Sequence, residues 1–156
     1  MDIHLDVQRE VAALPKDEEI LKWLNETLAF EQHGDTEITI RFVGEKESAE
    51  LNEQYRHKTA PTNVLSFPFE IPAAVEDEVE LNLLGDLIIC AEVVKKQARQ
   101  QKKEELAHWA HMVVHGTLHL LGYDHLTDAD ANVMETKEIQ ILSQLGYADP
   151  YREIEA

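Results

Sequence analysis

The amino-acid sequence predicts an α+β fold: one domain over residues 1–156, with a small mixed β-sheet of about four strands packed against helices. Three observations lead there. Strand-like alternation and helix-like periodicity succeed one another in the order β-α-β-α-β-β-α-α-α. No linker, internal repeat or low-complexity tract divides the chain, which is long enough to bury a core without staples. The helix that carries the histidine motif also offers apolar residues from Leu106 to Leu121 to the core, and it is expected to pack centrally.

The elements follow in order. Residues 2–8 alternate, Ile3, Leu5 and Val7 against Asp2, His4 and Asp6, as a strand does. After Pro15, residues 16–32 read as a helix with Ile20, Leu21, Trp23, Leu24 and Leu28 as its buried stripe, closed by Gly34. Residues 36–43 alternate again through Ile38, Ile40 and Phe42. A short helix after Gly44 carries Ala49, Leu51 and Tyr55 and ends near Arg56. Residues 62–69 are β-branched and aromatic but bounded by Pro61 and Pro68, which suits a strand at a sheet edge. Residues 70–83 read as an acidic solvated loop, and 84–90 as a mostly buried strand.

From Ala91 to about Gln101 the pattern is helical with a basic end, Lys95, Lys96, Arg99, Lys102 and Lys103, where cations favour the helix dipole. The next helix begins near Lys103 or Glu104 and runs to Leu121; Leu106, Trp109, Ala110, Val113, Leu120 and Leu121 are its core-facing candidates. Thr127 is the expected N-cap of the last helix, with Asp130 at its third position and Ala131, Met134, Leu142 and Leu145 facing inward up to Gly146.

Bulk composition narrows the function. Apolar content of 44% and charged content of 29% are those of an ordinary soluble globular protein. A lone cysteine, Cys90, excludes an internal disulfide and suits a reducing compartment. The first ten residues lack the basic and apolar regions of a signal peptide, and no run approaches the ~18 apolar residues that cross a bilayer, so the expected location is cytoplasmic. A formal net charge of −17 opposes broad binding to nucleic acid, which needs phosphate neutralisation. Any nucleic acid bound must meet a local basic patch or be presented by a partner.

The chemistry concentrates in residues 115–125, His-Gly-Thr-Leu-His-Leu-Leu-Gly-Tyr-Asp-His. His115 and His119 lie one helical turn apart on one face. Gly122 can take a left-handed conformation that ends the helix, and the following turn brings His125 back to the other two. Three neutral imidazoles with a fourth position open describe a catalytic zinc site, whose use is to activate water near neutral pH. The spacing coincides with the metzincin pattern H-E-x-x-H-x-x-G-x-x-H, so the helix is metzincin-like. The carboxylate that a protease carries after the first histidine is here Gly116. Either its missing side chain leaves room at the metal for a bulky substrate, or helix and strand pack closely there. His108, His111, His115 and His119 fall within roughly an 80° arc. His111, one turn before the first ligand, suits orienting a ligand or handling protons, or is an ordinary core histidine. Asp124 either orients an imidazole or makes the turn.

Together these residues resemble the YbeY family of bacterial metallo-endoribonucleases. The resemblance rests on His115-Gly116-x-Leu118-His119-Leu120-x-Gly122-Tyr123-Asp124-His125, on Leu51-Asn52-x-x-Tyr55-Arg56 followed by Pro61-Thr62-x-Val64-Leu65-Ser66-Phe67, and on Leu84-Gly85-Asp86. These blocks span most of the chain, and Thr59-Ala60 departs from the acidic residue expected in that loop. The resemblance implies one zinc ion on His115, His119 and His125 and cleavage of single-stranded RNA. It also implies trimming of the 3′ end of small-subunit (16S) rRNA and a part in ribosome quality control, with ribosomal proteins or assembly factors as partners. The family's functional arginine maps onto Arg56, whose guanidinium can pair bidentately with phosphate. Lys58 would extend the basic patch. Two other readings stay open: a zinc peptidase, favoured by the histidine spacing and opposed by Gly116, and a non-catalytic ribosome-assembly factor with a structural zinc.

Overall fold

A computed structural model describes residues 2–58, 60–69 and 83–152. Strands β1 (Ile3–Arg9), β2 (Thr36–Val43), β3 (Val64–Pro68) and β4 (Leu83–Cys90) form one sheet in the order β1-β2-β4-β3. β1 and β4 run parallel to β2, and β3 runs antiparallel to β4. Among the described residues the sheet is therefore mixed and four-stranded, and β3 is its edge strand, ending on Pro68, which has no N–H to give a ladder. The acidic stretch expected at 70–83 lies, up to residue 82, outside the described residues; Leu83 already belongs to β4.

Among the described residues five helices complete the fold: α1 (Asp17–Phe30), α2 (Glu45–Arg56), α3 (Ala91–Gln100), α4 (Glu105–Leu120) and α5 (Asp128–Gln144). α4 is the hub. It packs against β3 and β4 and against α1, α3 and α5, so every residue from His108 to Leu120 except His115 and His119 is buried. Trp109 is fully buried and meets the Phe42 ring edge to face at 5.3 Å, a geometry favoured by the ring quadrupoles. In α1, Ile20, Trp23, Leu24 and Leu28 are buried as expected, but Leu21, at the edge of the stripe, is 38% exposed. Thr27 occupies the inner position instead, its hydroxyl satisfied by the Trp23 carbonyl at 2.8 Å.

α2 departs most from its apolar pattern. Its buried residues are the polar Ser48 and Asn52, whereas Tyr55 is exposed. The reason is a hydrogen-bonded latch. Ser48 Oγ donates to the Thr62 carbonyl and accepts from the Thr62 amide (3.0 and 3.1 Å), while the Asn52 amide donates to the Ala60 carbonyl (2.7 Å). Buried backbone groups need such partners. The latch fixes the segment leading into β3 along the inner face of α2, and Tyr55 and Arg56 are left facing a cleft.

Candidate active site

Gly122 ends α4 with φ +105°, a conformation that side-chain-bearing residues avoid, and the Tyr123 amide reaches back to the Leu118 carbonyl (3.1 Å) while the Gly122 amide reaches His119 (3.0 Å). The chain thus reverses directly after the last turn. Asp124 Oδ1 accepts from the His125 amide at 2.7 Å, which assigns Asp124 to shaping the turn. Lys137 of α5 steadies the same turn: it pairs with Glu31 at 3.0 Å and lies over the ring of Tyr123, 4.9 Å from its centroid. The outcome is that one ring nitrogen from each of His115, His119 and His125 lies within 4.8 Å of the others.

Behind His115 stands a group that the motif does not contain. Glu138 of α5 is fully buried, and its Oε1 lies 2.5 Å from His115 Nδ1 and 3.2 Å from His111 Nε2. Its Oε2 accepts from the Tyr151 hydroxyl at 2.6 Å. Burial alone would raise the Glu138 pKa, but the bonds and proximity of His111 and His115 outweigh it and hold the carboxyl at about 2. It is therefore an ionised acceptor, so His115 carries its proton on Nδ1 and keeps Nε2 for the cluster. His111 is pushed toward neutrality by burial first and by the nearby His115 and Lys103 next, against the pull of Glu138. Burial and the neighbouring carboxylate push the Tyr151 hydroxyl well up, so it stays a donor. His111 thus sits behind the cluster, bonded to the group that orients His115 and to Tyr151 Oη at 3.2 Å.

The residues suit a metal ion. His119 is shifted toward its neutral, ligating form by burial and by the charges of His115 and His125, with the Tyr123 backbone and Asp124 opposing. Glu138 supplies the second piece of the test. Its ion-pair partners among the described residues are only His111 and His115, and burial shifts His111 toward its neutral form. A cation held on the other nitrogen of His115 would add positive charge close to this buried carboxylate. The alternative grouping of His111, His115 and Glu138 is already spent on these hydrogen bonds.

The histidine cluster opens on a cleft of about 840 Å³ lined by Tyr55 and Arg56 of α2, by residues 62–67 leading into and along β3, and by the turn and α5. Arg56, 59 positions before His115 in the chain, is brought to the same cleft. Lys58 is exposed just beyond α2 and does not line it. Gly116 does not line the cleft. A Cβ built on it would come 2.8 Å from Leu87 Cδ2 and 3.2 Å from Val64 Cγ2, so the glycine admits the sheet against α4. The notion that it makes room at the metal is thereby corrected, and a protease's glutamate has no place there.

Sequence reasoning misses Glu138 and Tyr151. One signal points to the first: Glu138 occupies the inward stripe of α5 between Met134 and Ile141, where an acid is costly unless bonded. Tyr151 lies beyond the last helix, where no periodicity marks it.

A family model described as Endoribonuclease YbeY matches residues 5–146. The solution structure of TM1509 from Thermotoga maritima is similar at a TM-score of 0.58 and 25% identity, over 96% of this chain and 99% of that one. With the fold, the histidine-lined cleft and a match across nearly the whole length in agreement, the chain belongs to the YbeY family of endoribonucleases, nucleases of rRNA processing.

Proposed function

We propose that this protein is a zinc-dependent, single-strand-specific endoribonuclease that matures the 3′ end of 16S rRNA and acts late in ribosome quality control. The observation that carries the chemical part is the meeting of Arg56 and the three-histidine cluster in one cleft. His115, His119 and His125 hold the ion, an all-imidazole set that suits zinc. When bound, the ion supplies a Lewis acid for phosphodiester hydrolysis. Arg56 binds a phosphoryl oxygen of the scissile linkage and offsets charge developing there. Glu138 locks the tautomer and orientation of His115, and His111 and Tyr151 hold Glu138 in turn.

The same geometry weighs against the two rival readings. A peptidase needs a carboxylate base beside the first histidine, and the backbone there is pressed on Leu87 and Val64. A structural zinc closes its coordination with protein ligands, usually including thiolates, and Cys90 is buried in β4 away from the cleft. A protein of net charge −17 binds free RNA weakly, so ribosomal proteins or assembly factors bring the substrate, with Lys58 adding positive charge outside the cleft.

The deciding experiment pairs metal analysis with two substrates. Purified protein should contain zinc and cut single-stranded RNA in a chelator-sensitive manner while leaving an unstructured peptide intact. Cleavage of the peptide would support the peptidase, and intact RNA with fully loaded metal would support the assembly factor.

A further inference from the structure

The cleft is poor in positive charge. Arg56 is the one Lys or Arg lining it among the described residues, and Asp124, Glu135 and Glu138 line it too. A groove that tracks RNA by its phosphates needs several cations, and one guanidinium accounts for one phosphate. Affinity for a strand must then come from the bases.

Exposed apolar groups are gathered where bases would lie. Tyr55 is 56% exposed and Leu126 84% exposed, and both line the cleft. Tyr55 precedes Arg56 directly, at the end of α2. Its ring is propped edge to face by Phe67 of β3, centroids 4.9 Å apart and planes at 68°. Phe67 lines the same cleft, so Tyr55 is buttressed rather than free to swing. Leaving a large aromatic exposed forgoes burial free energy, and a supported ring beside a phosphate-binding arginine is the arrangement in which single-stranded nucleic acid is held.

We propose that Tyr55 is the base-stacking platform of this cleft: a nucleobase of the RNA lies on its ring next to the phosphate taken by Arg56, with Leu126 an apolar contact on the His125 side. This deepens the endoribonuclease reading and rests on it. A base inside a duplex has no free face to offer, so the same contact explains a preference for single strands. It also makes binding of free RNA only shallowly salt-dependent, with a log–log slope of about −0.7 for one neutralised phosphate.

The test uses the metal-loaded enzyme. Tyr55→Ala should raise KM for single-stranded RNA about ten-fold with kcat nearly unchanged, Tyr55→Leu should behave the same, and Tyr55→Phe should match the wild type. Tyr55→Trp adds a direct readout, because the native Trp23 and Trp109 are buried in the core. Its fluorescence should be quenched by a cleavage-blocked 2′-O-methyl phosphorothioate oligonucleotide and not by an abasic one of equal length. An unchanged KM for Tyr55→Ala, a Tyr55→Phe variant as impaired as Tyr55→Ala, or equal quenching by the abasic strand overturns the stacking role alone, since the wild type still cuts RNA. A wild-type enzyme that cuts no RNA removes the stacking role and the nuclease reading together.

Discussion

Glu138 and His115 are 23 residues apart in sequence, yet the carboxylate Oε1 sits 2.5 Å from the imidazole Nδ1. That contact fixes both which nitrogen of His115 carries hydrogen and where the ring points. Partners of this kind typically contribute 10- to 100-fold to metal affinity. Glu138→Gln keeps an acceptor but removes the charge and sets an amide N–H against one of its three donors. We expect it to fold and to lose zinc affinity by about 10- to 100-fold. Competition with a chelator of known affinity measures this; wild-type affinity would mean that the carboxylate orients nothing that matters to the ion.

Arg56 reaches the cleft, and no ion pair engages it among the described residues. Arg56→Ala should therefore keep the fold and the metal. Loss of a single charge-stabilising donor costs on the order of 100-fold in rate, and that loss is expected here in RNA cleavage. Arg56→Lys should recover only part of it, because an ammonium does not reproduce the planar fork. Single-turnover cleavage with metal content measured in parallel checks the expectation, and wild-type rates in Arg56→Ala would sink the phosphate-binding role.

Gly116 tests packing against chemistry. A methyl group there gains about 1 kcal/mol in helix propensity, but it must displace Leu87, fully buried in β4, and tighten against Val64. Overpacking of this sort costs about 1–3 kcal/mol, so Gly116→Ala should be destabilised by roughly 1 kcal/mol overall. Gly116→Glu should fail to fold. Urea unfolding of the alanine variant and solubility of the glutamate variant measure both. A stable, metal-loaded but inactive Gly116→Glu protein would return the residue to the metal's side.

Much of this was legible in the sequence because it is local. The element order and the convergence of His115, His119 and His125 follow from periodicity, one helix-ending glycine and a turn. The edge position of β3 follows from its prolines. What resisted reading is set by packing between distant elements. Leu21 and Leu28 are both apolar positions on α1, and only the neighbouring elements decide that one faces water. Gly116 could serve access or contact until Leu87 was placed beside it. Glu138 and Tyr151 lie 13 and 26 residues past His125, with no fixed spacing to announce them. α2 is the clearest failure of the apolar rule: a polar latch through Ser48 and Asn52 replaces an apolar stripe, and it turns Tyr55 outward to the cleft.

His108 offers a pH test separate from the three-histidine cluster. It is 3% exposed, and its Nε2 donates to Gln97 Oε1 at 2.8 Å. Burial, reinforced by the charges of His111 and Lys103, lowers its pKa to about 4. In the unfolded chain the same ring takes up a proton near pH 6.5. Between those values the unfolded state holds a proton that the folded state does not, so this group's contribution to stability falls as the pH drops from about 6.5 to 4. The full loss is up to roughly 3 kcal/mol. His108→Gln keeps a donor for Gln97 and does not titrate, so its stability should fall less steeply over that interval, whereas the other histidines change both proteins alike. Denaturant midpoints of the two proteins at pH 7, 6 and 5 make the comparison. Curves that stay parallel would show that His108 is protonated in the folded state without penalty.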